Sequence, residues 1–361
     1  MGDDVYRKLA EVLNTLPNGF PETASGVEFR LLKRIFSPEE AEIFCNLRLQ
    51  FETAQQIAER TGRPLQGLED TLGRMWEKGQ VFGVNFGGTE LFKMVPWAFG
   101  IYEFQLPHMD RELAEMCEEY MEVCGRQFFS ARPQLMQVIP VESEIPGTHE
   151  AMTYEKVSSL IEMSQSFLIM ECICKKEQGL LDNRCDKPLE VCMALAPVPE
   201  IFDNPRVGRP ASKEQAYRVL RDAEEAGLVH LTWNVRNGHF FICNCCGCCC
   251  GVLRGINKLD IPAWKVVNSY HCAEIDPDAC AACGTCADER CQVHAIEEGD
   301  GVYRVIREKC IGCGLCVTTC PSEAITLVRK QPEEIVPPPE DENAWYQERG
   351  RERGVDFSAF K

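Results

Sequence analysis

The sequence predicts an α+β, multidomain chain, and three observations carry that expectation. Residues 37 to 95 read as three helices and a hairpin, the cysteines from Cys172 onward fall into tight clusters, and the text after Val328 turns proline-rich and acidic. With 361 residues the chain has room for two or three domains that each bury a core without cross-links. The expected division is 1–105, a helical connector at 106–165, a cysteine-rich domain at 166–265, a compact α+β domain at 266–330, and a tail at 331–361.

In the first segment, Ser37-Pro38-Glu39-Glu40 is a helix start: a capping Ser, Pro in the first turn, and carboxylates near the positive helix end. Thr53-Ala54-Gln55-Gln56 is a capping box opening the next helix. After the turn Thr61-Gly62-Arg63, the residues Leu65, Leu68, Leu72, Met75 and Trp76 follow a helical period that ends at Gly79. Two strands, 81–86 and 90–95, are joined by Gly87-Gly88. This order resembles a winged helix-turn-helix. A DNA-reading role is not expected of it, because Glu69, Asp70 and Glu77 stand among the six polar positions of the third helix, with Gln66, Arg74 and Lys78. Residues 31–95 carry eight Lys and Arg against nine Asp and Glu, and the wing tip Gly87-Gly88-Thr89-Glu90 has no arginine. A structural or partner-docking module is the expectation.

From Asp110, the residues Leu113, Met116, Cys117, Tyr120, Met121 and Cys124 share one helical face, so Cys117 and Cys124 read as buried thiols, as does Cys45. Ser212 to Gln215 is a further capping box, whose helix turns Ala216, Val219, Leu220 and Ala223 inward and stops at Gly227. The tail is expected not to pack, being charged and proline-rich.

Size does not account for 22 cysteines, of which 19 lie at or after Cys172. The N-terminus is acidic at once, with no basic and apolar leader pattern, and no run approaches 18 apolar residues. A cytoplasmic, reducing location is expected, where thiols are free to bind metal. A net charge of −18 argues against general affinity for nucleic acid.

Cys310-x2-Cys313-x2-Cys316-x3-Cys320-Pro321 is a complete cluster-binding run, and a second reads Cys280-x2-Cys283-x2-Cys286-x4-Cys291-Gln292. Three thiolates from one tight loop suit three corners of a four-iron cubane, the fourth coming from elsewhere. Paired zinc sites on the same cysteines are the competing reading. Small residues at Ala281, Ala282, Gly284, Gly312 and Gly314 let the backbone wrap closely, and a hairpin is expected over 296–306 with Asp300-Gly301 at its tip. The segment 272–330 resembles the two-cluster bacterial-type ferredoxin family. The resemblance implies two [4Fe-4S] clusters, one on Cys280, Cys283, Cys286 and Cys320, the other on Cys310, Cys313, Cys316 and Cys291. The first run departs from the family by one extra residue before Cys291 and by Gln292 where Pro is usual. Cys272 and His294 are not assigned as ligands.

Two further groups precede this segment: Cys172, Cys174, Cys185 and Cys192, then Cys243, Cys245, Cys246, Cys248, Cys249 and Cys250. Ten thiols exceed any packing need. In an extended tract Cys243 and Cys245 would face opposite to Cys246 and Cys248, which could feed two sites. Three readings stand: one or two additional iron-sulfur clusters, structural zinc, or redox-active and unliganded thiols. The paired cysteines are similar to those of heterodisulfide-reductase-like proteins, although the spacings do not match that family's motif, and the general pattern resembles iron-sulfur proteins of anaerobes. No Walker loop, dinucleotide fingerprint or Gly-x-Ser-x-Gly elbow is present, and His230, His239 and His271 read as structural. The expected function is electron transfer with a partner oxidoreductase, as a subunit more than as a self-contained enzyme. The rivals are a redox-sensing transcription regulator and an iron-sulfur reductase with substrate at a middle cluster.

Overall fold

A computed structural model describes residues 2–145, 155–203 and 205–361. Helix and strand are both well represented, as an α+β chain requires. Two compact units divide the chain: Met1–Phe128 with Lys176–Asp182 and Arg349–Lys361, and Phe129–Lys175 with Asn183–Glu348.

In the first unit, helices Pro38–Phe44, Ala54–Thr61 and Leu68–Glu77 precede a hairpin of strands Phe82–Phe86 and Thr89–Lys93. Both capping boxes form. Ser37 Oγ accepts from the Glu40 N–H at 3.3 Å while the Glu40 carboxylate accepts from the Ser37 N–H at 2.8 Å, and Thr53 and Gln56 do the same. The third helix starts later than the apolar period suggests. Gly67 at φ 80 breaks the helical backbone ahead of Leu68, which leaves Leu65 exposed instead of on the inner stripe. Cys45, Cys117 and Cys124 are buried, and burial pushes Cys45 up to about 11 and Cys124 up to about 12, as inert thiols require.

The second unit is built on a seven-stranded sheet in the order Arg209–Ala211, Ser166–Glu171, Glu190–Ala196, Phe241–Cys245, Val229–Trp233, Met136–Ile139, Val267–Asn268. Neighbours are antiparallel except the last pair. Helix Lys213–Glu225, opened by the Ser212–Gln215 box, lays Ala216 and Leu220 on Phe167, Ile169, Met193, Leu195 and Ile242. Strands His271–Ile275 and Ile325–Arg329 pair beside the hairpin Ile296–Gly299 with Val302–Val305, whose tip is Asp300-Gly301.

Two expectations are corrected. The connector at 106–165 is no separate piece: helix Arg111–Phe128 belongs to the first unit and strand Met136–Ile139 lies inside the sheet. All four residues of that strand are buried, so no alternation marked it. Residues 146–154 of the same stretch lie outside those described. The tail packs. Arg236 and Asn237 donate backbone hydrogen bonds to the carbonyls of Pro339 and Glu340, and helix Glu342–Arg353 follows. Trp345 is fully buried in the second unit, donating from Nε1 to the Gln134 carbonyl at 2.9 Å and meeting Trp233 edge-on at 5.5 Å. Arg349 is buried in the first unit, where it donates to the Pro17 carbonyl at 3.1 Å and lies over Phe128. A few aromatic and guanidinium anchors outweigh the average polarity of the segment.

Candidate metal centres

The loop after strand His271–Ile275 carries Cys280, Cys283 and Cys286, and the return before strand Ile325–Arg329 carries Cys320. These four thiols line one cavity with Ile275, Tyr303 and Ile325. Cys283 is exposed and Cys280, Cys286 and Cys320 are half-buried. Burial acts to raise Cys320, but hydrogen bonds from the Ser322 hydroxyl and the backbone of Ser322, Ala324 and Ile325 outweigh it and hold the thiol below its usual range.

Cys291, Cys310, Cys313 and Cys316 lie close enough to act on one another's charge, and Cys316 also feels Cys286 of the first run. Its sulfurs receive backbone donors: the Ala295 N–H reaches Cys291 Sγ at 3.1 Å and the Ala273 N–H reaches Cys310 Sγ at 3.4 Å. The buried Cys272 thiol also hydrogen-bonds Cys310 and is the main reason that Cys310 falls to about 6. Burial pushes Cys313 up to about 12. Gly312, at φ 62, is required here because a Cβ would overlap the His271 carbonyl.

The extra residue of the first run is absorbed by a wide turn over Cys286–Arg290, in which the Cys291 N–H donates to the Cys286 carbonyl at 3.1 Å, five residues back. Gln292 has a partner that Pro could not serve. Its side-chain carbonyl accepts from the Gly247 N–H at 3.0 Å, and its backbone carbonyl accepts from Asn257 Nδ2 at 2.9 Å.

Among the middle thiols, six form a closed chain of contacts: Cys172 to Cys174, on to Cys250, Cys245, Cys243, Cys192 and back to Cys172. Cys172 follows strand Ser166–Glu171, Cys174 is the second residue of helix Ile173–Leu180, and Cys250 is the N-cap of helix Gly251–Asn257. Cys243 and Cys245 share a face of strand Phe241–Cys245, two residues apart, and the neighbouring strand brings Cys192. The other four, Cys185, Cys246, Cys248 and Cys249, draw together with all sulfurs within 4.8 Å of one another, and three of them share an apolar cluster with Cys172, Cys174 and Cys192. The division assigns Cys243 and Cys245 to one group and Cys246 and Cys248 to the other.

No histidine belongs to the tight four-thiol group. His230 is buried between Asn244 and Glu224, the latter 3.1 Å from Nε2, and burial lowers His239 and His271 to about 4. The gathered donors in the middle region are thiols, which suits soft metals and iron-sulfur clusters. Four thiols around one cavity and backbone donors to the sulfurs of Cys291 and Cys310 suit iron-sulfur ligation. The pairing of Gln292 with Gly247 and the grouping of the ten middle thiols carried no local sequence signal.

A fold of paired short strands around two cysteine loops, with thiol-only donor sets, defines a ferredoxin-type iron-sulfur segment. Residues 273–327 match the family model of the 4Fe-4S dicluster domain. Over 91 residues the chain is 33% identical to an uncharacterized ferredoxin of Methanocaldococcus jannaschii, an alignment that covers 25% of this chain and 52% of the relative. The chain thus spans about half the length of that relative. Among the described residues no helix is long and apolar enough to cross a membrane.

Proposed function

We propose that the chain is an iron-sulfur electron-transfer protein or oxidoreductase subunit, with [4Fe-4S] clusters on Cys280, Cys283, Cys286, Cys320 and on Cys310, Cys313, Cys316, Cys291. The observation that supports this reading is that Cys280, Cys283 and Cys286 of one run line a single cavity with Cys320 of the other, while Cys291 is felt by Cys313 and Cys316 of the other run. Such clusters supply one-electron chemistry when bound. The chain's own residues contribute unequal settings. Exposed Cys283 opens the first group to a partner's surface, whereas backbone N–H groups and the Cys272 thiol aimed at Cys291 and Cys310 stabilise negative charge in the second.

The six-thiol ring of Cys172, Cys174, Cys192, Cys243, Cys245 and Cys250 is read as an additional iron-sulfur site. One ion takes four thiolates, so six in a closed ring call for more than one metal atom. The partner is a redox protein, and the three-helix and hairpin region serves docking or structure with a winged-helix fold. The test is anaerobic iron and sulfide analysis with low-temperature EPR of the reduced protein. At least about eight irons per chain are expected from two four-iron clusters. Replacing Cys172 and Cys174 together by Ser should lower iron while leaving the ferredoxin signal. Unchanged iron in that variant would remove the middle site, and fewer than about eight irons in the parent would remove the cubane pair.

A further inference from the structure

We infer that Cys185, Cys246, Cys248 and Cys249 hold a single zinc ion, as a thiolate centre separate from any iron-sulfur cluster. The sulfur spacing carries the inference. Cys185 and Cys246 stand 3.7 Å apart, Cys248 and Cys249 3.7 Å, and Cys249 and Cys185 3.8 Å. A tetrahedral ion with Zn–S bonds of about 2.3 Å places its sulfurs about 3.8 Å from one another. A cubane instead spreads its thiolates over separate iron corners around a four-iron core. The same molecule supplies the comparison: among the described residues, this is the one group of such side chains whose ligand atoms all lie within 4.8 Å, and none of the ferredoxin-run cysteines belongs to it.

Neither a disulfide nor simple packing accounts for this spacing. A disulfide needs sulfurs at about 2.05 Å, and all four cysteines are free. Packing alone does not call for four thiols with all sulfurs within 4.8 Å of one another. Three of them, Cys185, Cys246 and Cys249, lie in an apolar cluster with Val191, Ala223, Leu228 and the ring thiols Cys172, Cys174 and Cys192, where apolar side chains would serve. The set is also closed. Four sulfurs complete the tetrahedron and leave no open position, as in structural zinc sites. Zinc binds a given thiolate site more tightly than ferrous iron does, so an isolated four-thiol site favours it. Three of the ligands come from one turn, Cys246 to Cys249, in which the Cys249 backbone N–H reaches the Cys246 sulfur, and Cys185 comes from the loop after helix Ile173–Leu180. The ion therefore staples that loop to the turn. The Gln292 side chain holds Gly247 within the same turn at 3.0 Å, so the staple also fixes the contact next to Cys291.

The inference does not rest on the electron-transfer reading, and its readout is zinc, not iron. The full chain, purified anaerobically without added zinc, should contain one zinc per chain by elemental analysis. Its zinc K-edge absorption should show four sulfurs at about 2.3 Å and no metal neighbour. The variant Cys246→Ser with Cys249→Ser should lose the zinc and keep its iron. Because that variant could fold poorly, Cys248→His is the second arm. Cys248 is the exposed ligand, and histidine there should retain one zinc with three sulfurs and one nitrogen. A parent chain free of zinc, a single iron at these thiols, or a Cys248→His spectrum unchanged from the parent would each overturn the inference.

Discussion

A Cβ on Gly247 would overlap the backbone carbonyl of Gln292 and crowd Asn257 Nδ2, so neither backbone can retreat without breaking the hydrogen bonds that join them. Gly247→Ala should therefore destabilise the chain by about 1–3 kcal/mol, the usual cost of overpacking a tight contact. A fall in the urea midpoint at unchanged slope would show it, and an unshifted midpoint would contradict it. Gln292 was legible only as a departure from a family pattern. Its use, accepting the Gly247 N–H, joins residues 45 apart in sequence and is invisible to any local reading.

The capping boxes were legible because they are local: Ser37 and Glu40 lie one helical turn apart and satisfy each other's orphan groups. What the sequence concealed is that Glu40 also serves distant elements, accepting from Lys78 Nζ at 2.6 Å and Gln80 Nε2 at 2.9 Å. Burial acts to raise its pKa, but those donors with the Ser37 backbone bring it from 4.5 down to about 2. A depressed carboxylate stabilises the fold above its unfolded pKa and loses that contribution as pH falls toward its folded one. Wild type should exceed Glu40→Gln in stability by on the order of 2 kcal/mol at neutral pH. The gap should close between pH 4.5 and about 2, as measured by denaturant unfolding at a series of pH values. A gap independent of pH over that window would show that the charge does not matter. The wide turn over Cys286–Arg290 illustrates the opposite case at this level: the extra residue was countable, but only the folded backbone shows it taken up by a bond spanning five residues.

Across the whole chain, the tail is part of the folded body. Trp345 is fully buried and bonded to Gln134, so Trp345→Ala should cost about 3–5 kcal/mol, whereas a solvated tail would give no change in thermal unfolding. A net charge of −18 and the acidic third helix predict that the full chain shows no salt-sensitive retention on duplex DNA at low ionic strength. Submicromolar, sequence-selective binding in a gel shift would instead promote the redox-sensing regulator.

Spacing along the chain determined the ferredoxin-type segment, because three thiolates in one tight loop must be sequence neighbours to reach one small cluster. Capping and apolar period likewise located the helices at Pro38–Phe44, Ala54–Thr61 and Lys213–Glu225. The division of ten middle thiols into a ring of six and a tight set of four was decided by tertiary structure alone. Cys185 meets Cys246 across 61 residues, and Cys192 meets Cys243 because two strands lie side by side in the sheet. Strand order and loop return set those distances, and they arise from burial of a shared core that no local pattern encodes.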